Sequence, residues 1–408
     1  MNRRLFAAAA AVTLALGAFG GPASAAGADT GGKGHAWVGS WEASPTADTA
    51  DNFANYSLRN VVHLSTGGLA VRLRLSNEFG TRPLVLGHVT VALQAAGANS
   101  AAARPGTVRD VRFAGHRSTT VAAGADVRSD PVALPVPARA NLLVTVYLPA
   151  QAGAVTYHAL AEQTSFASPS GDHAADTAGT AYTREIFSWY YLTGVDVLNP
   201  AARGSVVTLG DSITDSYQST WGANHRWPDF LAGRILSRPG AAQLGVQNAG
   251  ISGNRLLLPG LVDAFGPPAW QRLDEDVLSR TGARTVIVLL GINDIQQPPH
   301  QTDPAVIDAA LREIAVRAHR AGLRVIGGTL TPWEGWPGYD ATLEAVRVAV
   351  NHFIHTSRAF DAVVDFDAAV RDPADPHRML AAYDSGDHLH PNDAGYEVMA
   401  ASVDVRQL

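Results

Sequence analysis

The sequence contains no cysteine and, among its 31 basic residues, only one lysine, Lys33. Without cysteine the chain can neither form disulfides nor use a thiol as nucleophile or metal ligand, so its stability must come from apolar burial. Charged residues make up 17% of the chain and its arginines are scattered, which argues against a protein that binds nucleic acid. The low charge and the 46% hydrophobic content also exclude a disordered chain and a coiled coil.

A long apolar run is also missing. The N-terminus combines Arg3 and Arg4, an apolar stretch over Leu5–Phe19, and small residues at Ala23–Ala25. That stretch is shorter than the roughly 20 residues that a bilayer requires. The pattern predicts a secretory signal peptide over residues 1–25, and the paired arginines also fit twin-arginine export. We therefore expect a secreted protein with no integral membrane segment once the signal is removed.

Hydrophobic periodicity divides the remaining chain into two halves. A Gly/Ala-rich segment, residues 26–36, is expected to be flexible. Over residues 37–200 apolar side chains alternate with others, as in Leu142–Leu148, which predicts an antiparallel β domain resembling a sandwich. Over residues 201–408 short continuous apolar runs such as Val286–Leu290 alternate with helical segments, which predicts an α/β domain with a parallel sheet covered on both faces.

Two helices of the second half have clear boundary signals. Asp303 is a suitable N-cap, Pro304 suits the first helical position, and Gly322 is a typical stop. A second helix is predicted from about Asp340 to Arg358.

Polar residues follow several of the apolar runs, at the strand ends where ligands of parallel sheets bind. Ser212 follows the first run, Asn293 follows a later one, and Asp387 and His390 lie together near the C-terminus. A serine hydroxyl needs a base such as histidine, and a carboxylate must orient that base. Acyl transfer also needs donors for an oxyanion, and the N–H groups of Ser212 and Gly250 and the amide of Asn293 are candidates.

The segments that carry these residues resemble the sequence blocks of the SGNH (GDSL) hydrolases. They are Gly210-Asp211-Ser212, Asn248-Ala249-Gly250, Gly291-Ile292-Asn293-Asp294 and Asp387-His388-Leu389-His390. They occur in the order typical of that family, and the resemblance extends over about residues 203–408.

The resemblance implies a flavodoxin-like three-layer α/β/α fold and ester hydrolysis without a cofactor or metal. It implies that Ser212 is the nucleophile, His390 the base and Asp387 its orienting carboxylate. It also implies an oxyanion hole formed by Ser212, Gly250 and Asn293.

The N-terminal half resembles that of two-domain secreted members of the family, some of which resemble esterases associated with xylan degradation. Two of the stretches that carry this resemblance lie in the N-terminal half, Trp37-Val38-Gly39-Ser40-Trp41 and Leu73-Arg74-Leu75-Ser76-Asn77. Two more lie in the second half, Asn224-His225-Arg226-Trp227-Pro228 and Gly328-Thr329-Leu330-Thr331-Pro332. This implies a secreted serine esterase that acts on short acyl or acetyl esters, such as those of an acylated polysaccharide. A lipase or lysophospholipase substrate stays open as an alternative.

Four tryptophans lie near strand ends and are candidate pocket residues: Trp221, Trp227, Trp333 and Trp336. Trp333 and Trp336 share one loop after a predicted strand, so we expect them to line the substrate pocket.

Three other interpretations compete with a serine esterase of this family. An α/β-hydrolase would carry Gly-x-Ser-x-Gly, which the sequence lacks. A metallohydrolase could use the cluster Asp384, Asp387, His388 and His390, although no second ligand cluster accompanies it. A non-enzymatic carbohydrate-binding protein could stack sugars on tryptophans such as Trp37 and Trp41.

Overall fold

The computed structural model describes residues 37–48, 53–95, 99–151, 153–238 and 243–408. The predicted signal peptide, 1–25, and the predicted flexible segment, 26–36, lie outside the described residues. Within these ranges no helix has both the length and the apolar character needed to cross a bilayer.

The described residues of the first half, which we call the β half (37–200), form β-strands joined by turns and loops. They are β1 (Trp37–Glu42), β2 (Thr46–Asp48), β3 (Tyr56–His63), β4 (Val71–Ser76), β5 (Leu84–Leu86), β6 (His88–Leu93), β7 (Arg109–Asp110), β8 (Thr119–Val121), β9 (Asp126–Arg128), β10 (Asn141–Leu148), β11 (Val155–His158), β12 (Ser165–Ser168), β13 (Arg184–Ile186), β14 (Trp189–Tyr190) and β15 (Leu192–Leu198).

Two antiparallel sheets of the β half face each other across a common core. One sheet has the order β1-β15-β4-β9 and the other the order β13-β12-β3-β10-β6-β7. Alternate residues such as Leu73 in β4 and Val144 in β10 enter the shared core. The predicted antiparallel sandwich is therefore confirmed. Leu143 also is buried, in a smaller cluster on the outer face of β10, so this central strand is covered on both sides.

The second half, which we call the α/β half (201–408), alternates strands and helices. Its strands are β16 (Ala202–Gly210), β17 (Gln243–Gly250), β18 (Ala283–Leu289), β19 (Arg324–Gly328), β20 (Ala362–Val364), β21 (Arg371–Asp372) and β22 (Asp375–Met379). Its α-helices are α1 (Ser212–Asp215), α2 (Trp227–Ser237), α3 (Ala269–Leu273), α4 (Ile292–Gln296), α5 (Pro304–Arg320), α6 (Ala341–Thr356), α7 (Phe366–Val370) and α8 (Asp393–Ser402). Short 3₁₀ turns occur at Asp263–Phe265 and Val405–Gln407, and a π-helical turn at Asp274–Leu278.

The strands β16–β20 form a parallel sheet in the order β17-β16-β18-β19-β20. This is the doubly wound order of flavodoxin-like folds, in which the chain reverses direction beside its first strand. Helices α2, α7 and α8 pack into one group, and α3, α5 and α6 into another, so helices cover the sheet in two layers. The predicted three-layer α/β/α fold is confirmed.

The two helices with clear boundary signals form as expected. In α5, Asp303 accepts a hydrogen bond from the Ala305 N–H at 3.0 Å, and Pro304 is the first residue. In α6, Asp340 accepts from the Thr342 N–H at 2.7 Å, but the helix ends at Thr356, two residues before the predicted end.

The two halves pack along strands β1 and β17. Gly39 of β1 lies so close to Gly245 of β17 that a Cβ on Gly245 would be 1.9 Å from the Gly39 carbonyl oxygen. The Gly39 N–H donates to the Thr281 carbonyl at 2.9 Å, and the Val246 N–H donates to Ser65 Oγ at 2.8 Å. Glycine at 245 therefore sets the closest approach of the two backbones.

We predict that Gly245→Ala lowers the free energy of unfolding by about 1–3 kcal/mol, because the added methyl group overlaps a backbone oxygen that cannot move aside independently. Urea denaturation would measure the loss. Gly194→Ala is the matched control, since its Cβ would have no neighbour nearer than 3.5 Å. Equal stability of the two variants would contradict this account of the contact.

Candidate active site

The candidate site lies where three adjacent parallel strands end. Ser212 follows β16, the turn of residues 251–254 follows β17, and Asn293 lies in α4 after β18. Since β16 is paired with both β17 and β18, the chain segments that follow these strands share one edge of the sheet.

Ser212 begins the short helix α1. Asp211 caps this helix by accepting a hydrogen bond from the Ile213 N–H at 3.0 Å. In the described part of the chain, the Ser212 N–H has no hydrogen-bond acceptor. The first turn of α1 thus presents both a hydroxyl and a free N–H at the sheet edge.

His390 lies beside Ser212 and is held by Asp387. The Ser212 Oγ is 2.8 Å from His390 Nε2, and His390 Nδ1 is 2.7 Å from Asp387 Oδ2. Asp387 Oδ1 accepts two further hydrogen bonds, from the N–H groups of Leu389 and His390, each at 2.9 Å. With Nδ1–H donating to Asp387, Nε2 is the acceptor for the Ser212 hydroxyl.

The environment of Asp387 keeps it ionised. Partial burial acts to raise its pKa, but the hydrogen bonds and charge of His390 and the N–H of Leu389 together hold the pKa well below its ordinary value. An ionised carboxylate at this position can stabilise an imidazolium on His390.

Two aromatic rings border the imidazole of His390. Tyr217 meets it edge to face with ring centroids 4.9 Å apart, and Trp336 does so at 6.0 Å. The Trp336 N–H donates to Gln296 Oε1 at 3.2 Å, and Tyr396 donates to the Tyr217 carbonyl at 2.7 Å. These contacts fix two walls around the imidazole.

The side-chain amide of Asn293 is held in the orientation that makes its Nδ2 a hydrogen-bond donor at the site. Its Nδ2 donates to the Asn254 carbonyl at 2.9 Å, while its Oδ1 accepts from Gln296 at 2.8 Å and Gln297 at 2.9 Å. One amide hydrogen has no acceptor in the described chain, so it is available to a bound oxygen.

The structure corrects the interpretation of Gly250. Its N–H already donates to Asn248 Oδ1 at 2.9 Å, and Asn248 Nδ2 donates to the Thr214 carbonyl. A Cβ on Gly250 would be 2.3 Å from the Asp215 nitrogen. Glycine is therefore needed at 250 to let β17 pack against α1, and its N–H is not free to serve an oxyanion.

Gly253 has the free N–H that was expected of Gly250, and sequence reasoning missed this residue. Its N–H has no acceptor among the described residues, and its φ of +75° is in the left-handed region that favours glycine. Its neighbours connect it to both sides of the site, because Ser252 donates to Asp215 and the Asn254 carbonyl accepts from Asn293. The available signal was the second glycine, three residues after Gly250.

The candidate tryptophans take different positions. Trp333 is fully buried and its N–H donates to Glu344 at 2.8 Å, so its expected role in lining the pocket is wrong. Trp336, three residues later, is half-buried and contacts His390. Trp227 is fully buried, whereas Trp221 is 40% exposed and donates to Thr164 of the β half.

The tryptophans considered for sugar stacking are involved in packing. Trp41 is buried against Trp189 at a centroid distance of 5.0 Å, and the Arg72 guanidinium lies 4.7 Å from the centre of the Trp37 ring.

The acidic and histidine cluster near the C-terminus divides into two separate pairs. Asp384 Oδ2 is 2.6 Å from His388 Nδ1, while Asp387 pairs with His390. Among the described residues, no three such side chains are grouped so as to hold a metal ion.

Asp211, beside the candidate nucleophile, is an unusual carboxylate. It is 1% exposed, and its Oδ2 has no hydrogen-bond partner among the residues that the structure describes. Burial raises its pKa to about 7, and the neighbouring Asp294 adds to the rise while the Ile213 N–H opposes it. A carboxyl group in this environment binds a proton at a pH where exposed aspartates are ionised.

Comparisons with known proteins bear on the α/β half. Residues 208–398 match the model of the GDSL-like Lipase/Acylhydrolase family. Solved structures that resemble the chain include a GDSL-like lipase from Bacteroides thetaiotaomicron (19% identity, 49% of this chain and 85% of that one, TM-score 0.36). Est24, a carbohydrate acetylesterase from Sinorhizobium meliloti, is 17% identical over 48% of this chain and 94% of that one, with a TM-score of 0.36. An aryl esterase from M. smegmatis is 16% identical over 48% of this chain and 95% of that one, with a TM-score of 0.37. No curated protein matches the chain.

We predict that Asp211→Asn becomes more stable relative to the wild type as the pH rises. The raised folded pKa means that the folded protein binds this proton more tightly than the unfolded chain does, so the wild type loses stability between the ordinary pKa and about 7. Asparagine cannot ionise, and the difference in free energy of unfolding should shift by about 2 kcal/mol in favour of the variant between about pH 5 and about pH 8.

Asp404→Asn is the control for this pH series. Asp404 is ionised throughout that range, because hydrogen bonds from Arg406 lower its pKa to about 2. Its variant should therefore show no pH trend between those values. A flat difference for Asp211→Asn as well would mean that Asp211 is ionised in the folded protein.

Proposed function

Because residues 208–398 match the model of the GDSL-like lipase/acylhydrolase family, we propose that the protein is a secreted serine esterase that cleaves carboxylic esters through an acyl-enzyme on Ser212. The observation that carries this proposal is the continuous hydrogen-bonded series from Ser212 through His390 to Asp387, with distances of 2.8 and 2.7 Å. Secretion is supported by the signal-peptide pattern of residues 1–25.

The first half of the reaction acylates the serine. His390 Nε2 takes the proton of the Ser212 hydroxyl while the Ser212 oxygen attacks the ester carbonyl carbon. The resulting imidazolium is stabilised by Asp387. His390 then gives the proton to the leaving alcohol oxygen as the carbon–oxygen bond of the ester breaks.

The second half releases the acid. His390 takes a proton from water, whose oxygen attacks the acyl carbonyl, and the proton returns to the Ser212 oxygen as the acyl–serine bond breaks. Both halves pass through a tetrahedral oxyanion. We assign its donors as the free N–H groups of Ser212 and Gly253 and the free amide hydrogen of Asn293.

For the natural substrate we propose a short acyl ester, such as an acetyl group on a polysaccharide. The support is the resemblance of the β half to secreted esterases associated with xylan degradation. The exposed edge-to-face pair of Phe187 from the β half and Trp221 from the α/β half, with centroids 5.3 Å apart, offers apolar faces on which a sugar ring could stack.

One observation favours a second candidate, an acylhydrolase for longer chains or lysophospholipids. The segment after the 251–254 turn exposes three large apolar side chains, Leu258 (40%), Leu261 (53%) and Val262 (54%). An exposed apolar surface on the segment that follows the turn carrying Gly253 would favour a long acyl chain. Comparing kcat/KM for acetylated xylan, p-nitrophenyl acetate, p-nitrophenyl octanoate and a lysophospholipid would distinguish the two substrate classes.

We predict that Ser212→Ala lowers kcat for p-nitrophenyl acetate by about 10³-fold or more, because no other group replaces the nucleophile. A fluorophosphonate probe should label the wild type and not this variant. Ser219→Ala, which removes another buried hydroxyl from the segment just after α1, should retain activity and labelling. A wild type that binds polysaccharide but neither turns over esters nor reacts with the probe would instead be a carbohydrate-binding protein.

We predict that Asn293→Ala lowers kcat by about 10²–10³-fold with little change in KM, because its amide acts on the oxyanion rather than on the ground state. Asn293→Asp keeps the size but replaces a donor with a negative charge, so the loss should be at least as large. Full activity in either variant would contradict the assignment of Asn293.

A further inference from the structure

The β half reaches the 251–254 turn through a buried imidazole. His158, the last residue of β11, is 4% exposed. Its Nδ1 is 2.8 Å from the Ser44 carbonyl oxygen, and its Nε2 is 3.0 Å from Asp215 Oδ1. Both nitrogens face oxygen acceptors, so the ring donates on both sides only as an imidazolium. Burial opposes this charge, but Asp215 raises the pKa of His158 above its ordinary value.

Asp215 transmits this contact to the turn. It ends helix α1, three residues after Ser212. Its Oδ2 accepts from both the N–H and the hydroxyl of Ser252, at 3.0 and 2.8 Å. Ser252 precedes Gly253, so the carboxylate joined to His158 also fixes the residue next to an oxyanion donor.

The other side of the turn is also tied to the β half. Arg272 Nε donates to Asn254 Oδ1 at 3.0 Å, and its two terminal nitrogens donate to the carbonyls of Ala249 at 2.8 Å and Gly210 at 2.9 Å. The same guanidinium donates to Ser44 Oγ at 3.2 Å. Ser44 therefore accepts hydrogen bonds in both connections.

We propose that His158 is a positioning residue for ester hydrolysis. Through Asp215 and Ser252 it holds the 251–254 turn, and with it the N–H of Gly253, where the oxyanion forms. The inference rests on the proposed esterase function and gives the β half a role in the reaction. Displacements near 1 Å in such an array cost about 10²-fold in rate, so loss of this support should be measurable.

A purely structural role makes a different prediction. A buried ion pair contributes uncertainly to stability, and its loss would lower the melting temperature without a selective effect on the transition state. A positioning role changes kcat and the affinity for an oxyanion analogue, whereas a purely structural role leaves both unchanged. Both quantities are measured at a temperature where the protein is fully folded.

The test is His158→Gln in the full chain, assayed with p-nitrophenyl acetate and with a trifluoromethyl ketone inhibitor, whose adduct with the serine carries an oxyanion. We expect kcat to fall by about 10- to 100-fold with KM within about twofold of the wild type, and the inhibitor constant to rise in parallel. Ser252→Ala removes the hydroxyl that donates to Asp215 and keeps the N–H that does so, and its loss should therefore be the smaller one. The double variant should lose little more than His158→Gln alone, because both changes act on one connection.

His63→Gln is the matched control. His63 is another histidine of the β half and lines the same cavity between the halves as His158. Its Nδ1 lies 2.6 Å from Asn141 Oδ1, within the β half, and among the described residues His63 makes no hydrogen bond to the 251–254 turn. Its variant should keep kcat and the inhibitor constant.

The outcomes separate this inference from the function it rests on. A wild type without esterase activity would overturn the proposed function itself. An active wild type whose His158→Gln variant melts earlier but keeps its kcat and inhibitor constant would overturn only the positioning role. If His158→Gln does not fold, Ser252→Ala decides, and unchanged values in that variant would overturn the proposal.

Discussion

The site depends on one constraint, the pairing of β16 with both β17 and β18 in a parallel sheet. Parallel pairing places the three carboxyl ends at one edge, and only there can Ser212, the 251–254 turn and Asn293 approach each other. His390 and Asp387 come from a loop far along the chain and join this edge through short hydrogen bonds. The helices around the sheet therefore hold in place an arrangement that the strand order has already made possible.

The sequence patterns predicted the sandwich, the parallel sheet and the residues that follow its strands, because each of these depends on local periodicity and on a general property of parallel sheets. They could not distinguish Gly250 from Gly253, since the bond that engages the first N–H comes from the side chain of Asn248. They also grouped Trp333 with Trp336, although three residues of an irregular loop are enough to bury one ring and leave the other beside His390. Such differences are decided by tertiary contacts, which a periodic pattern does not record.

Charge buried between the halves is the second feature that no local pattern revealed. Arg280 lies 2.7 Å from Glu42 of β1 and also contacts Asp276, all nearly inaccessible to solvent. Burial raises the pKa of Glu42 to about 8, although Arg280 opposes the rise. Arg280 and Asp276 of the α/β half thus meet Glu42 of the β half in one buried cluster. This cluster and the connection from His158 to the 251–254 turn join the same two halves.

The contact between β1 and β17 has a consequence for the α/β half when it is separated from the β half. In the five-stranded sheet β17 is an edge strand, and a bare edge is a template on which another chain can add a strand. Ser65 caps the Val246 N–H, and the backbone of β1 covers the approach at Gly245. The β half thus covers the edge strand β17. A fragment cut at the boundary between the halves would expose this strand to self-association, however intact its catalytic residues remained.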